Sequence, residues 1–221
     1  MNKKSKKQKV NIPRILEILE KAYDGTGTAL KYRSPYQLLI STMLAAQSTD
    51  KQVNVITKDL FTRYPEAHHL AKLSVEEIEQ LIKRVGLYKN KAKNIKLTSQ
   101  ILAEKYKGDI PSTREELMEL PGVGRKTANV VLSIAKGVPA IAVDTHVFRV
   151  SNRLELAQAA NVLDTEKQLM QNIPREKWSD AHHWLIWHGR KICKARKPLC
   201  RECPLAEDCK YYRENQNAAG Q

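Results

Sequence analysis

Along this chain of 221 residues, apolar side chains recur three and four positions apart, and no two segments alternate at every second position between hairpin turns. A spacing near 3.6 marks a helix burying one face, whereas a spacing of two marks a half-buried strand. Ile15, Leu16, Ile18, Leu19 and Tyr23 form one such stripe, and Leu38, Leu39, Met43 and Ala46 another. Ser74 with Glu77 has the spacing of a capping box ahead of Ile78, Leu81 and Ile82, and Ser112 with Glu115 repeats it ahead of Leu117 and Leu120. Helix ends are predicted at Asp24-Gly25-Thr26-Gly27, Tyr64-Pro65, Gly86 and Gly137-Val138-Pro139, and the breaks near 27 and 138 are candidate domain boundaries. The run from Val138 to Val143 is short enough for a strand, but a lone strand has no ladder partner. The expected class is all-α.

Charge narrows the partners. The chain carries 38 Lys and Arg against 24 Asp and Glu, a net +14, which points to a polyanion: nucleic acid or a membrane surface. Five of those charges sit in Lys3, Lys4, Lys6, Lys7 and Lys9, so residues 1–11 are expected to be a basic, disordered tail. The other nine belong to the body of the chain, so the basic signal survives without the tail. No stretch approaches the roughly 18 to 20 apolar residues of a spanning helix, and the Lys-rich start is not followed by the apolar run of a secretory signal. A reducing compartment is therefore expected, with no membrane partner.

The most informative stretch is LPGVGRKTANVVL, Leu120 to Leu132, in which Gly122 and Gly124 separate two helical patterns. Such a turn aims backbone amides outward at the start of a helix, where partial positive charge suits phosphate. Gly122, Val123, Gly124 and Arg125 are thus candidate contacts to a phosphate, such as that of a nucleic-acid backbone, the alternative being an ordinary helix–helix turn that uses Gly. The likeness of Gly124-Arg125-Lys126-Thr127 to a nucleotide-binding P-loop fails, because that motif needs Gly where Arg125 and Leu120 stand. Lys126 and Asp144 follow, separated by one helix and a return loop. A nucleophilic lysine must be neutral; a helix N-terminus and partial burial favour the neutral amine, while a nearby carboxylate opposes the shift yet relays protons. Asp144 ahead of Thr145-His146-Val147-Phe148 also reads as a helix N-cap.

The four cysteines, Cys193, Cys200, Cys203 and Cys209, are spaced C-x6-C-x2-C-x5-C. A cluster this tight in a reducing compartment suggests a metal centre rather than disulfides. Chemistry alone leaves zinc and an iron–sulfur cluster equally open. Between the first two ligands lie Lys194, Arg196 and Lys197, either a solvated loop or, pinned by metal, a rigid phosphate contact. His182, His183 and His188, among Trp184 and Trp187, are read as structural residues of an amphipathic helix.

Taken together, LPGVGRKTANVVL, the AVDTHVFRV segment from Ala142 to Val150 and the four-cysteine tail resemble the endonuclease III family of helix-hairpin-helix DNA glycosylases. LAAQSTDKQVN from Leu44 to Asn54 and GLYKNKAKNI from Gly86 to Ile95 agree, and the likeness runs from about residue 12 to residue 212. The resemblance implies a six-helix barrel over 28–138 and a discontinuous iron–sulfur domain over 12–27 and 139–221, with the DNA cleft between them. It tips the metal to a [4Fe–4S] cluster. It implies a bifunctional glycosylase and AP lyase acting on duplex DNA with damaged, oxidised pyrimidines or abasic sites. Lys126 would attack the deoxyribose C1′ and form a Schiff base, β-elimination would cut the strand 3′ to the site, and Asp144 would assist proton transfer. It also gives Gln47 and Leu87 the task of filling the stack left by the extruded base, where the residues alone suggest a capping amide and a core leucine.

Two alternatives stand beside this. A monofunctional adenine or mismatch-thymine glycosylase of the same fold is opposed by Lys126 and by Ser41, which stands where adenine enzymes resemble one another in carrying Glu. The short stretch after Cys209 also leaves no room for their extra recognition domain. A non-enzymatic helix-hairpin-helix binding module is opposed by the pairing of Lys126 with Asp144. A monomer in the cytoplasm, associated with the nucleoid, is expected.

Overall fold

The computed structural model describes residues 10–218, and among them there is helix and loop but no strand. Most of the tail expected over residues 1–11 lies outside the described residues. Asn11, however, is part of the fold: its side chain accepts the Arg14 N–H and caps the first helix, so order begins before residue 12.

The chain divides into two compact units. One spans Thr28–Ala142 and holds α2 (Pro35–Ala45), α3 (Asp50–Arg63), α4 (Ala67–Lys72), α5 (Val75–Ile82), α6 (Tyr88–Lys105), α7 (Arg114–Glu119) and α8 (Arg125–Ala135). At its centre is α2, buried on nearly every side, with Leu38, Leu39, Ile40 and Leu44 fully enclosed. The other helices are amphipathic and bring Leu60, Leu70, Ile78, Ile82, Ile95, Leu102, Leu117 and Val131 to the same core. Burying one such side chain is worth roughly 1.5–3 kcal/mol, so this core outweighs the weak helix propensity of short elements such as α4 and α7.

Helix starts follow the chemistry of their caps. Ser74 and Glu77 form the expected reciprocal box at α5, with Ser74 N–H donating to Glu77 Oε2 at 2.7 Å and Glu77 N–H to Ser74 Oγ at 3.1 Å. The box expected from Ser112 and Glu115 is not the one formed. Thr113 caps α7 instead, accepting from Glu116 N–H at 3.3 Å and donating to Glu116 Oε2 at 2.7 Å. The sequence offers two overlapping boxes one residue apart, and the register used is the one that carries Leu117 wholly into the core.

The other unit joins the chain up to Gly27 with the chain from Val143 onward. It contains α1 (Ile12–Tyr23), α9 (Thr145–Arg153), α10 (Val162–Asn172), α11 (Trp178–Lys191) and α12 (Lys210–Ala218), with 3₁₀ turns at Arg175–Lys177 and Cys200–Glu202. Helix α11 packs on both α1 and α9. Gly189 permits the second crossing, since a Cβ there would come within 3.0 Å of the His146 side chain. At the end of the Thr28–Ala142 unit, Ala140, Ile141 and Ala142 are buried loop, and Asn129 Nδ2 donates to the Ile141 carbonyl at 2.9 Å. This anchoring places the second boundary at 142, beyond the break at Gly137-Val138-Pro139.

Candidate nucleic-acid site and cysteine centre

Helices α7 and α8 form a hairpin whose two glycines have different reasons to be there. Gly122 has φ 79°, and a Cβ on it would lie 2.7 Å from Asn94 Nδ2. Pro121 beside it is held by Thr98, whose hydroxyl donates to the Pro121 carbonyl at 3.0 Å. Gly124 has ordinary dihedrals, φ −92° and ψ 173°, and a Cβ there would meet nothing within 4 Å. It caps α8 without a side-chain hydrogen bond, so the leading amides of α8 have no cap acceptor. Val123 does not join the exposed set: its side chain is in the core and its N–H donates to the Leu120 carbonyl at 3.0 Å, which closes the turn. Arg125 is half-buried. Lys126 is exposed in the first turn of α8, so burial is not what would favour its neutral amine, and among the described residues no hydrogen bond or ion pair engages its ammonium.

Gln47 and Leu87 lie in the same unit, and both are exposed in the left-handed backbone region, at φ 56° and φ 57°. Neither bland alternative holds. Gln47 caps no helix, and Leu87 is 58% exposed. Ser41 is fully enclosed and its Oγ has no partner among the described residues, so a glutamate at this position of this core would be buried without compensation.

In the other unit, Asp144 caps α9. Its Oδ1 accepts the His146 and Val147 N–H groups, both at 2.8 Å, while Oδ2 has no hydrogen-bond partner among the described residues. One carboxylate oxygen is thus fixed and the other is available. Burial, the largest influence on His146, lowers its pKa; Asp144 works the other way.

Two arginines of α9, unremarked in the sequence, hold the cysteine loop. Arg149 donates to the Cys193 carbonyl through Nε at 3.0 Å and Nη2 at 2.9 Å. Arg153 donates to the Lys194 carbonyl at 2.9 Å, the Ala195 carbonyl at 3.2 Å and Cys193 Sγ at 3.3 Å. The loop backbone is tied inward and Lys194, Arg196 and Lys197 are left exposed.

The four thiols line one cavity walled by Leu154, Ile192, Pro198 and Ala206. Burial raises the Cys203 pKa to about 11, with further increments from Cys209, Cys193 and Cys200, and Cys200 and Cys209 are raised for the same reasons. Four thiols lining one cavity, three of them with ionisation opposed by burial and by their neighbours, are a donor set suited to a cationic centre. Among the described residues, the one set of three or more ligating atoms all within 4.8 Å of each other is Glu66, His68 and His69. His188, buried on α11, faces Cys203 Sγ with Nε2 at 3.6 Å and Tyr23 Oη with Nδ1 at 3.1 Å. Its neighbours His182 and His183 are buried on the same helix. The Glu66 group is explained by capping, since Glu66 N–H donates to His69 Nδ1 at 3.3 Å at the start of α4.

Residues 40–175 match the HhH-GPD superfamily of base excision DNA repair proteins, and residues 193–209 match the iron–sulfur binding domain of endonuclease III. Endonuclease III of Bacillus subtilis strain 168 is 51% identical over 182 residues, covering 82% of this chain and 83% of that protein. Endonuclease III of a Synechocystis species is 48% identical and covers 93% of each. A solved structure of a trapped covalent endonuclease III–DNA intermediate, an estranged-adenine complex, superimposes with a TM-score of 0.88 at 47% identity, covering 94% of this chain and all of that one. The chain belongs to the endonuclease III family, and its cofactor is a [4Fe–4S] cluster.

Proposed function

We propose how the residues of this chain carry out base excision. The activity is that of a bifunctional DNA glycosylase and AP lyase of base excision repair, and the partner is DNA. Lys126 is the nucleophile. Its neutral amine bonds to C1′ of the damaged nucleotide as the bond from C1′ to the base breaks; the electron pair leaves with the base, which takes up a proton. Ring opening and loss of the amine proton give a Schiff base. Removal of a C2′ proton then expels the 3′ phosphate with its electron pair, cutting the strand on that side. Asp144 moves protons at the sugar and offsets developing positive charge, with Oδ2 as the working atom because Oδ1 is committed to the α9 cap.

Gly124 and Arg125, with Gly122 shaping the turn, receive a phosphate at the start of α8, and Lys194, Arg196 and Lys197 contact the backbone elsewhere. Gln47 and Leu87 occupy the space vacated by the extruded base. Cys193, Cys200, Cys203 and Cys209 would hold the cluster through their thiolate sulfurs, and its iron would cross-link the loop that carries the basic residues. In this reading Thr28–Ala142 corresponds to the family's helical barrel and the other unit to its iron–sulfur domain. The substrates are oxidised pyrimidines in duplex DNA, and the enzyme works as a monomer on the nucleoid in the cytoplasm.

The observation that carries this reading is an exposed, unengaged Lys126 directly after an uncapped glycine turn. Borohydride trapping tests it on a duplex containing an abasic site or thymine glycol. Wild type should be trapped on both and Lys126→Gln on neither. An adduct forming at the wild-type rate with Lys126→Gln overturns the assignment of the nucleophile.

A further inference from the structure

Lys91, on α6, is a buried cation at 7% exposure whose three partners are all neutral oxygens. Its Nζ donates to the Leu44 carbonyl at 2.9 Å, the Ala46 carbonyl at 2.5 Å and Ser48 Oγ at 3.4 Å. An ammonium has three protons, so its donor capacity is filled. Ser48 Oγ also accepts the Gly86 N–H at 3.3 Å. One side chain thus ties the end of α2 to the turn before α6, two segments far apart in sequence. They meet directly as well, since a Cβ on Gly86 would lie 3.4 Å from the Gln47 carbonyl oxygen.

What these segments have in common is strain. Gln47, between Ala46 and Ser48, and Leu87, next to Gly86, are both non-glycine residues in the left-handed region. Each such residue costs on the order of 1 kcal/mol or more and persists where its surroundings over-determine it. Both are exposed. Burial lowers the Lys91 pKa, the sign of an ammonium taken out of water.

We propose that Lys91, through the Leu44 and Ala46 carbonyls and with Ser48 as its relay to Gly86, is the positioning residue that presents Gln47 and Leu87 together to DNA. The proposal rests on the reading that these two residues fill the vacated stack. Satisfying the last carbonyls of α2 explains only part of the arrangement, because Lys96 caps α4 by the same chemistry. Lys96 Nζ donates to the Ala71 carbonyl at 2.6 Å and the Leu73 carbonyl at 2.5 Å, where Leu73 has an ordinary φ of −72°. Lys91 adds a third contact, to Ser48, whose hydroxyl in turn accepts the Gly86 N–H beside the second strained residue. Lys96 therefore serves as an internal control for helix capping alone.

The test uses the full cluster-loaded protein and a duplex with a tetrahydrofuran abasic analogue opposite 2-aminopurine, whose fluorescence reports unstacking of the opposing base. Lys91→Met should weaken binding to this duplex relative to undamaged duplex by about tenfold and depress the fluorescence change. Its single-turnover borohydride-trapping rate at saturating protein, measured on a separate duplex with a natural abasic site, should stay within about threefold of wild type. Lys96→Met should leave all three readouts unchanged. Equal behaviour of the two variants overturns the proposal. If Lys91→Met does not fold, Ser48→Ala decides: an intermediate loss of the fluorescence change supports the proposal and a wild-type signal overturns it. Gln47→Ala and Leu87→Ala separate the two failures. If they leave the signal intact, the stack-filling reading fails and the proposal falls with it; if they reduce it while Lys91→Met and Ser48→Ala do not, only the role of Lys91 is wrong.

Discussion

The cysteine loop and the Gln47 and Leu87 segments both present side chains to DNA in the proposed function, but their backbones are held by opposite means. The loop from Cys193 to Cys209 is held by Arg149 and Arg153 donating to its carbonyls, and its thiols are a ligand set of which Cys200, Cys203 and Cys209 have pKa values raised by burial, opposing ionisation until a cation joins them. The other two segments are held by the chain alone, through one buried ammonium, one hydroxyl and two strained residues. The first can therefore be dismantled by removing a ligand, and the second only by changing the polypeptide.

Loss of a ligand is the strongest way to separate the two regions. Cys203→Ser should abolish the visible absorption of the cluster and lower hydrogen-exchange protection across 193–209 by about a hundredfold or more, while protection around Lys91 stays at its wild-type level. An equal loss of protection in both regions would show that the cluster stabilises the whole chain, and the contrast would fail.

A smaller effect distinguishes two glycines that look alike in sequence. Gly122→Ala combines a left-handed backbone with a contact of 2.7 Å to Asn94, and should cost about 1–3 kcal/mol in urea unfolding. Gly124→Ala has open space and ordinary dihedrals, so stability should stay within about 0.5 kcal/mol. Its DNA affinity should fall about tenfold as the added methyl group meets the phosphate. A stable Gly122→Ala, or a Gly124→Ala that binds DNA normally, removes that part of the hairpin reading.

The smallest effect is on acid stability in the cluster-bearing unit. Burial lowers the His183 pKa, although its hydrogen bond to the Ser179 carbonyl opposes the shift. The unfolded state then binds the proton first, so stability should decline as pH falls below the unfolded value of about 6.5 and continue to decline until the folded group titrates. The drop in urea midpoint between pH 7.5 and 5.5 should be smaller in His183→Asn than in wild type. An identical drop would remove His183 from the account.

Some of this was legible in advance for a physical reason. Helical stripes, capping boxes and the cysteine spacing are local patterns, and local patterns survive in one dimension. The Asp144 cap was visible because its partners are two and three residues away. Thr113 displaced Ser112 as the α7 cap because two equivalent boxes overlap and only the burial of Leu117 chooses between them. Val123 was grouped with the exposed hairpin because nothing in the sequence shows that its side chain faces the core.

The amino-acid sequence by itself determined the all-helical class, the hairpin and its lysine, and the four sulfur donors, since each depends on residues close together along the chain. Tertiary structure alone decided which of the alternating lysines Lys89, Lys91 and Lys93 is special. Nothing local tells the three apart, yet Lys89 and Lys93 are exposed and Lys91 is enclosed beneath the end of α2. The same holds for Arg153 on Cys193 and His188 on Cys203. A buried charge takes its meaning from the oxygens and sulfurs around it, and those come from residues that only folding brings near.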